Sequence, residues 1–303
     1  VTTDNVSATP TRADERWLVP LHKLAFGVFG PPGSGKSTIP RTLPGRGFVL
    51  NTLPAEVGAP IVLASAQDRI HICSISQWGQ LGPVLKQLEL GRRLETCPVC
   101  REALPVREGK GPGVDWFALD SFTGLGVLAR KRALGERAAR GINADPALMS
   151  IRDWGNMGGF LYEALVQLLG IPLLKLLIAQ ERPWEEQGNK IGPDTRPPVI
   201  GFLCQSVNGM GRLYSAPVGG GVMERRMRVM EHPLYMTKWQ LDSSRWEGWP
   251  NIIRNPDLGK IIRYAYGPAG RFPPPDGVDE VVEAAADSNA GMQALEIAED
   301  EIS

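Results

Sequence analysis

Apolar residues in this chain come in short runs separated by glycine- and proline-rich turns, and their spacing predicts an alternating α/β order. Residues 24–29 are a continuous apolar run, the pattern of a strand buried on both faces. A glycine loop follows, then a helix from about Lys36, which Pro40 and Pro44 keep short or irregular because proline is tolerated only near the first turn. "GFVLNT" (47–52) reads as a second strand, and "RIHICSI" (69–75), alternating and β-branched, as a third. Trp78, Leu81, Val84, Leu85 and Leu88 recur at helical spacing over 78–90. "VDWFALDS" (114–121) is again a strand, "GFLYEALVQLL" (159–169) an amphipathic helix and "LLKLLIAQ" (173–180) a buried strand. Shorter strands at 212–217, 224–231 and 235–241 occupy a proline- and glycine-rich remainder without internal repeats. Strands alternating with helices imply parallel βαβ units, and the closely linked later strands imply antiparallel additions to one edge.

Composition adds little to the fold but narrows the setting. An apolar fraction of 43% with 22% charged residues is that of a globular domain in water, and no apolar stretch approaches the ~20 residues of a membrane span. The polar segment "VTTDNVSATPTRADER" is no secretory signal and reads as a flexible lead-in over 1–19. Four cysteines are too few for a disulfide scaffold, so a cytoplasmic setting is expected. Nine of the 33 acidic residues lie from Asp276 onward, with no Lys or Arg among them, which leaves residues 1–275 with all 33 bases against 24 acids. A basic body with an acidic tail suits nucleic-acid binding, and equally suits a tail that only aids solubility. The expected layout is a core over 20–268, with an insertion at 91–113, and a disordered acidic tail over 269–303.

The candidate chemistry begins in the first loop. Gly30, Pro31, Pro32, Gly33, Ser34, Gly35, Lys36, Ser37 and Thr38 satisfy G-x-x-x-x-G-K-[ST] at each specified position, with a strand before and a helix after. Backbone N–H groups must turn inward around phosphate oxygens, which requires glycine at Gly33 and Gly35. Lys36 reaches the β- and γ-phosphates, Ser37 ligates Mg²⁺, and a helix starting at Lys36 aims its positive end at the same anion. Asp120 ends an apolar strand, where a parallel sheet faces its ligand crevice, and is the second Mg²⁺ group, acting through water. Ser121 follows it where a motor of the AAA+ class would carry a glutamate base. Asp-Ser at this point resembles the RecA-like class, which implies a base just after the second strand; there Glu56 is the acid present, and a surface glutamate is the competing reading. Gln180, at the end of "LLIAQ", is a candidate sensor of the γ-phosphate.

The order of "GPPGSGKST", "FALDS", "RDWGNMGGFLYEAL", "LLIAQE", "TKWQL" and "WPNIIRNPDLGKII" resembles phage-encoded RecA-like ATPases of the Sak single-strand-annealing type, over roughly residues 20–263. The resemblance implies a RecA-like P-loop core, ATP and Mg²⁺ as cofactors, hydrolysis, homo-oligomerisation, and action on single-stranded DNA in phage recombination or replication. A single-strand-binding protein is a further implied partner, and host cytoplasm the implied location. Lys238, on the strand matching the family's lysine strand, becomes the candidate for a residue acting across subunits, ahead of Arg245. Asn51 departs from the pattern, standing where an acid is expected. A nucleotide-bound adaptor without turnover, and a small-molecule or nucleotide kinase with 182–196 as its lid, are the alternatives.

Two further features stay open. "ARKRALGERAARG" (129–141) carries five bases and one acid and suits either DNA phosphates or a solvated helix face. Cys97 and Cys100 form one C-x-x-C, and a zinc would need His71 and Cys73 to complete four ligands. Reduced thiols on a loop are the reading the sequence favours, since the path of the insertion is unknown.

Overall fold

The computed structural model describes residues 17–52, 62–90, 94–104, 106–107, 111–142, 148–184, 190–218, 220–268 and 270–278. Thirteen strands are found there: β1 Ala25–Gly30, β2 Gly47–Asn51, β3 Ile70–Ser74, β4 Val106–Arg107, β5 Gly111–Pro112, β6 Trp116–Asp120, β7 Leu174–Trp184, β8 Lys190–Pro193, β9 Gly209–Pro217, β10 Met223–Arg228, β11 Lys238–Trp239, β12 Ile252–Arg254 and β13 Gly277–Val278. Eleven of them form one mixed sheet in the order β13-β12-β10-β9-β1-β7-β6-β2-β3, with β11 paired to β9 and β8 to β7. The stretch β9-β1-β7-β6-β2-β3 is parallel throughout. The additions β8, β10, β11, β12 and β13 are antiparallel, as the closely spaced later strands predict.

Every residue of β1, β2 and β6 is buried, as continuous apolar runs require. Two apolar layers explain this. One face of the sheet (Phe29, Phe48, Phe117, Leu177) is covered by the helices Leu81–Leu88, Phe122–Ala139, Ile151–Gly170 and Pro197–Ser206. The other face (Phe26, Val28, Val49, Trp116, Ile178) lies under the 3₁₀ turn Lys36–Thr42, the helix Leu258–Tyr266, Trp239 and Trp249. No helix among the described residues is long and apolar enough to cross a membrane.

Several elements differ from their sequence-based outlines. The segment after the glycine loop is a seven-residue 3₁₀ helix containing Pro40, so it has no long aligned stack of peptide dipoles to offer an anion. The helix expected at 159–169 begins at Ile151, eight residues earlier. Ser150 caps it, accepting from the Asp153 N–H while the Asp153 carboxylate accepts from the Ser150 N–H. "DWG" therefore forms the first turn of this helix instead of preceding it. β7 runs four residues past Gln180, and its residues 181–184 pair antiparallel with β8, so the described part of the expected lid is two paired strands. Past residue 268 the chain continues in register to Val278, where β13 pairs with β12, and residues 279–303 of the acidic tail lie outside the described residues.

Candidate functional site

β1, β7 and β6 are adjacent and parallel, with Gly30 opposite Gln180 and Asp120 opposite Ile178. The sheet thereby brings the glycine loop and Asp120, at the carboxyl ends of β1 and β6, beside Gln180, where the parallel pairing of β7 with β1 ends, the position where open parallel sheets bind ligands.

The loop from Gly30 to Thr38 owes its shape to distinct constraints. At Gly30 a Cβ would stand 2.0 Å from the Leu213 carbonyl oxygen on β9, so the residue must be glycine for the strands to close up. Gly33 and Gly35 have φ of 77° and 86°, in the left-handed region. Lys36 is buried, and its Nζ donates to the carbonyls of Gly30 at 2.9 Å and Pro31 at 2.6 Å, with Ser34 Oγ at 3.5 Å. The ammonium is thus held inside the loop, near the oxygens it would exchange for phosphate. Thr38 Oγ1 donates to the Gly35 carbonyl at 2.6 Å and accepts from Arg225 Nη1 at 2.5 Å. Pro31, Pro32 and Ser37 complete the turn, Ser37 half-buried beside Lys36.

Asp120 is buried at the end of β6. The neighbouring backbone is fixed from β2: the Thr52 N–H donates to the Asp120 carbonyl at 2.9 Å, and Thr52 Oγ1 donates to the Ser121 carbonyl at 2.6 Å and accepts from the Ser121 N–H at 3.0 Å. Ser121 Oγ caps the next helix by accepting from the Gly124 N–H. Asn51, buried, pairs directly with Asp120 across β2 and β6. Gln180 is anchored through its backbone, its N–H donating to Thr123 Oγ1 at 3.0 Å and its carbonyl accepting from the Asp194 N–H at 2.7 Å. Its Oε1 is buried without a hydrogen-bond donor among the described residues. The Asp194 carboxyl beside it is pushed up by burial, against the pull of Arg182 at 3.6 Å.

Other anticipated residues sit elsewhere or fall outside the described chain. Glu56 lies outside the described residues. Lys238 pairs with Met210, itself opposite Gly27, so it stands three strand residues, about 10 Å at ~3.3 Å each, back from the loop of its own chain. It lines a separate cavity of about 220 Å³ with Cys204, Glu231 and Tyr235, where burial pulls its amine down. Arg245 is buried and donates to the carbonyls of Tyr264 and Gly267, an internal structural role. The arginines of the proposed kinase lid stay within the fold, Arg182 bridging to Asp194 and Arg196 lying 4.3 Å above Trp154. Arg130, Lys131, Arg132 and Arg137 lie along the Phe122–Ala139 helix and Arg140 caps its carboxyl end, while the first turn is at the site; at ~1.5 Å per residue Arg137 is about 22 Å along it. Cys97 and Cys100 come together with His71 and Cys73 at the opposite sheet edge from β9, remote from the loop.

Sequence reasoning overlooked Arg225 and the Arg212–Glu181 pair. Arg225 projects from β10 so that its Cδ would lie 3.0 Å from a Cβ at Gly35. Arg212, opposite Phe29, makes a two-pronged bridge to Glu181 at 2.9 and 3.4 Å. The sequence signal for Arg225 was "ERRMRVME" read as a strand, with no indication that it folds onto a loop 187 positions away, and for Arg212 it was "RLYSAP" read as a strand.

The donor set suits a nucleoside triphosphate with a hard divalent cation. Lys36 and Arg225 offer positive charge to phosphate, and the open space over Gly33, where a Cβ would touch nothing within 4 Å, leaves the loop accessible. Ser37 and Asp120 offer a hydroxyl and a carboxylate, the oxygen ligands that Mg²⁺ takes. No protein-family model matches the chain, and no curated protein matches it. Among solved structures, the flagellar accessory protein FlaH from Methanocaldococcus jannaschii is similar at 10% identity and a TM-score of 0.34, covering 70% of this chain and 79% of that one. A likeness that slight adds nothing to the geometry.

Proposed function

We propose that this chain is a RecA-like, Mg²⁺-dependent ATPase. The observation that carries the reading is the convergence of the complete glycine loop after β1, Asp120 at the end of β6, and Gln180 where β7 leaves its parallel pairing with β1. On binding, the Lys36 ammonium exchanges the Gly30 and Pro31 carbonyls for β- and γ-phosphate oxygens, and Arg225 adds a second cation over the loop. Ser37 and Asp120 would hold Mg²⁺, the latter through water, and the ion when bound supplies charge neutralisation at the β- and γ-phosphoryl oxygens. Glu56, in the connection after β2, is the proposed base for the attacking water, and Gln180 the residue that reads the γ-phosphate. Lys238 would act on a neighbouring subunit's site.

The same proposal extends, on the motif order and the basic body of the chain, to single-stranded DNA as the polymer served, in phage recombination or replication, by a homo-oligomer. The test is ATP hydrolysis by the full chain with and without single-stranded DNA, beside Lys36→Ala. Turnover stimulated by DNA and lost in the variant is expected, a loss of at least ~10²-fold. Undiminished hydrolysis in Lys36→Ala overturns the mechanism. Tight binding without turnover would make the chain an adaptor, and phosphoryl transfer to a small acceptor would make it a kinase.

A further inference from the structure

Away from the loop, the fold assembles a second constellation that nucleotide chemistry does not use. His71 and Cys73 are two residues apart on β3 and so share one face of the strand. Cys97 and Cys100 stand on a hairpin closed by the Thr96–Ala103 bridge, with the Cys97 N–H donating to the Glu102 carbonyl at 2.8 Å and the Leu104 N–H to the Glu95 carbonyl at 2.9 Å. The four ligand atoms all lie within 4.8 Å of one another, and Cys100 Sγ is 3.3 Å from His71 Nε2. In a tetrahedral zinc centre with Zn–S near ~2.3 Å, neighbouring ligand atoms are about 3.8 Å apart, so the cluster needs only a small contraction to close on an ion.

We infer that His71, Cys73, Cys97 and Cys100 form a structural zinc site that fastens the 94–104 hairpin to the edge of the sheet. Three sulfurs and one imidazole select zinc over the hard cations that the nucleotide site takes. Four protein ligands leave no open position for a substrate, which makes the site structural and not catalytic. Its supporting contacts are those of a ligand set. The Val99 N–H points at Cys97 Sγ at 3.4 Å, and the Phe48 ring lies 5.6 Å from the His71 ring, fixing its plane. The turn between the two cysteines brings Arg101 to φ 67°, a left-handed conformation that side chains adopt at some cost and that the Arg101 N–H uses to reach the Cys97 carbonyl at 3.0 Å. Glu102 Oε2, 3.5 Å from Cys100 Sγ, is the other acidic group at the cluster. Binding neutral His71 and three thiolates displaces the thiol protons to solvent.

The location explains the need. Among the described residues β3 pairs with β2 alone and ends the sheet, and an edge strand with unpaired backbone groups is a liability unless something covers it. The described part of the hairpin contributes few core residues, Leu94, Cys97 and Leu104, too small an apolar face to hold it down unaided. β3 lies four strand positions from β1, about 19 Å at ~4.8 Å per strand, so the metal takes no part at the phosphate loop.

The test is elemental analysis of full-length protein produced with zinc present and purified without chelator. One zinc per chain is expected, retained in Cys204→Ser and lost in the Cys97→Ser, Cys100→Ser pair. Should that pair prove insoluble, titrating the wild-type chain with a mercurial reagent settles the matter, with release of one zinc equivalent expected. Iron in place of zinc, no stoichiometric metal, a disulfide among these cysteines, or undiminished zinc in the double variant would each overturn the assignment.

Discussion

The glycines of the phosphate loop are not interchangeable, and their difference can be measured. At Gly30 an added Cβ would lie 2.0 Å from the Leu213 carbonyl oxygen, 3.0 Å from its carbon and 3.1 Å from Ser34 Oγ. Leu213 is backbone in β9, which is paired on one side with β1 and on the other with β10, so it cannot yield without disturbing both ladders. Gly30→Ala therefore falls at or above the upper end of overpacking costs, about 3 kcal/mol. At Gly33 an added Cβ meets nothing, and the cost is only that of φ 77°. A left-handed alanine costs ~1–2 kcal/mol, and its stiffer unfolded chain returns ~0.4–1 kcal/mol, leaving about 1 kcal/mol. Urea denaturation of the two variants should separate them by roughly 2 kcal/mol at equal m-value, about thirtyfold in the unfolding equilibrium. If Gly30→Ala proves no less stable than Gly33→Ala, β9 does not lie against the loop as described, and the route by which Arg225 reaches Thr38 fails with it.

Three further outcomes are expected. Arg225→Ala, at an exposed position, should leave thermal stability within ~0.5 kcal/mol and weaken ATP binding about tenfold by fluorescence titration; an unchanged Kd removes the arginine from the site. The Asp153 carboxyl is held below its ordinary range by hydrogen bonds from Ser150 and by Arg137 at 3.1 Å, so its stabilisation is present at neutral pH and lost as pH falls through that lowered value. Asp153→Asn should flatten the acid limb of a Tm-against-pH curve, and an unaltered limb would discount the pair. Lys175 is buried with its Nζ donating to the His22, Leu169 and Ile171 carbonyls, and burial brings its amine down to about 8, so the unfolded chain binds the extra proton above that pH. Stability should gain from this group as pH rises from about 8 toward the ordinary lysine range, and Lys175→Met should lack that gain in the same scan.

What could be read in advance follows a physical rule. β1, β2 and β6 are buried on both faces, so their burial is written in consecutive residues and a window of six suffices. The start of the Ile151–Gly170 helix was obscured by Gly155, Gly158 and Gly159, although the Ser150–Asp153 capping pair was a usable signal. The Pro197–Ser206 helix has no counterpart in the sequence reading, although Pro197 and Pro198 are residues that suit a helix start. The loop and Asp120 were legible because each stands at the end of an apolar strand, and Gln180 because the apolar run ends there, although β7 itself continues to Trp184. Arg225 on Thr38 was not, and His71 with Cys100 was named only as the completion a zinc would need, since those meetings depend on the paths of segments that no local pattern encodes.

That order also links the two sites mechanically. β1, β7 and β6 each have a strand on both sides, whereas among the described residues β3 is held by β2 alone. At the carboxyl ends a short chain of hydrogen bonds runs inward from this edge: the Ile75 N–H donates to the Asn51 carbonyl at 2.9 Å, and Thr52 then clasps the backbone of Asp120 and Ser121. Asp120 is thus only two strands from an edge that would be free to fray without a fastener. A hairpin pinned to β3 by the proposed zinc at His71, Cys73, Cys97 and Cys100 would restrain the strand whose end meets Asn51, and beyond it the Asp120 carboxylate proposed to hold Mg²⁺. Loss of the metal should therefore weaken Mg²⁺-dependent nucleotide binding before it unfolds the sheet, although no ligand atom of one site belongs to the other.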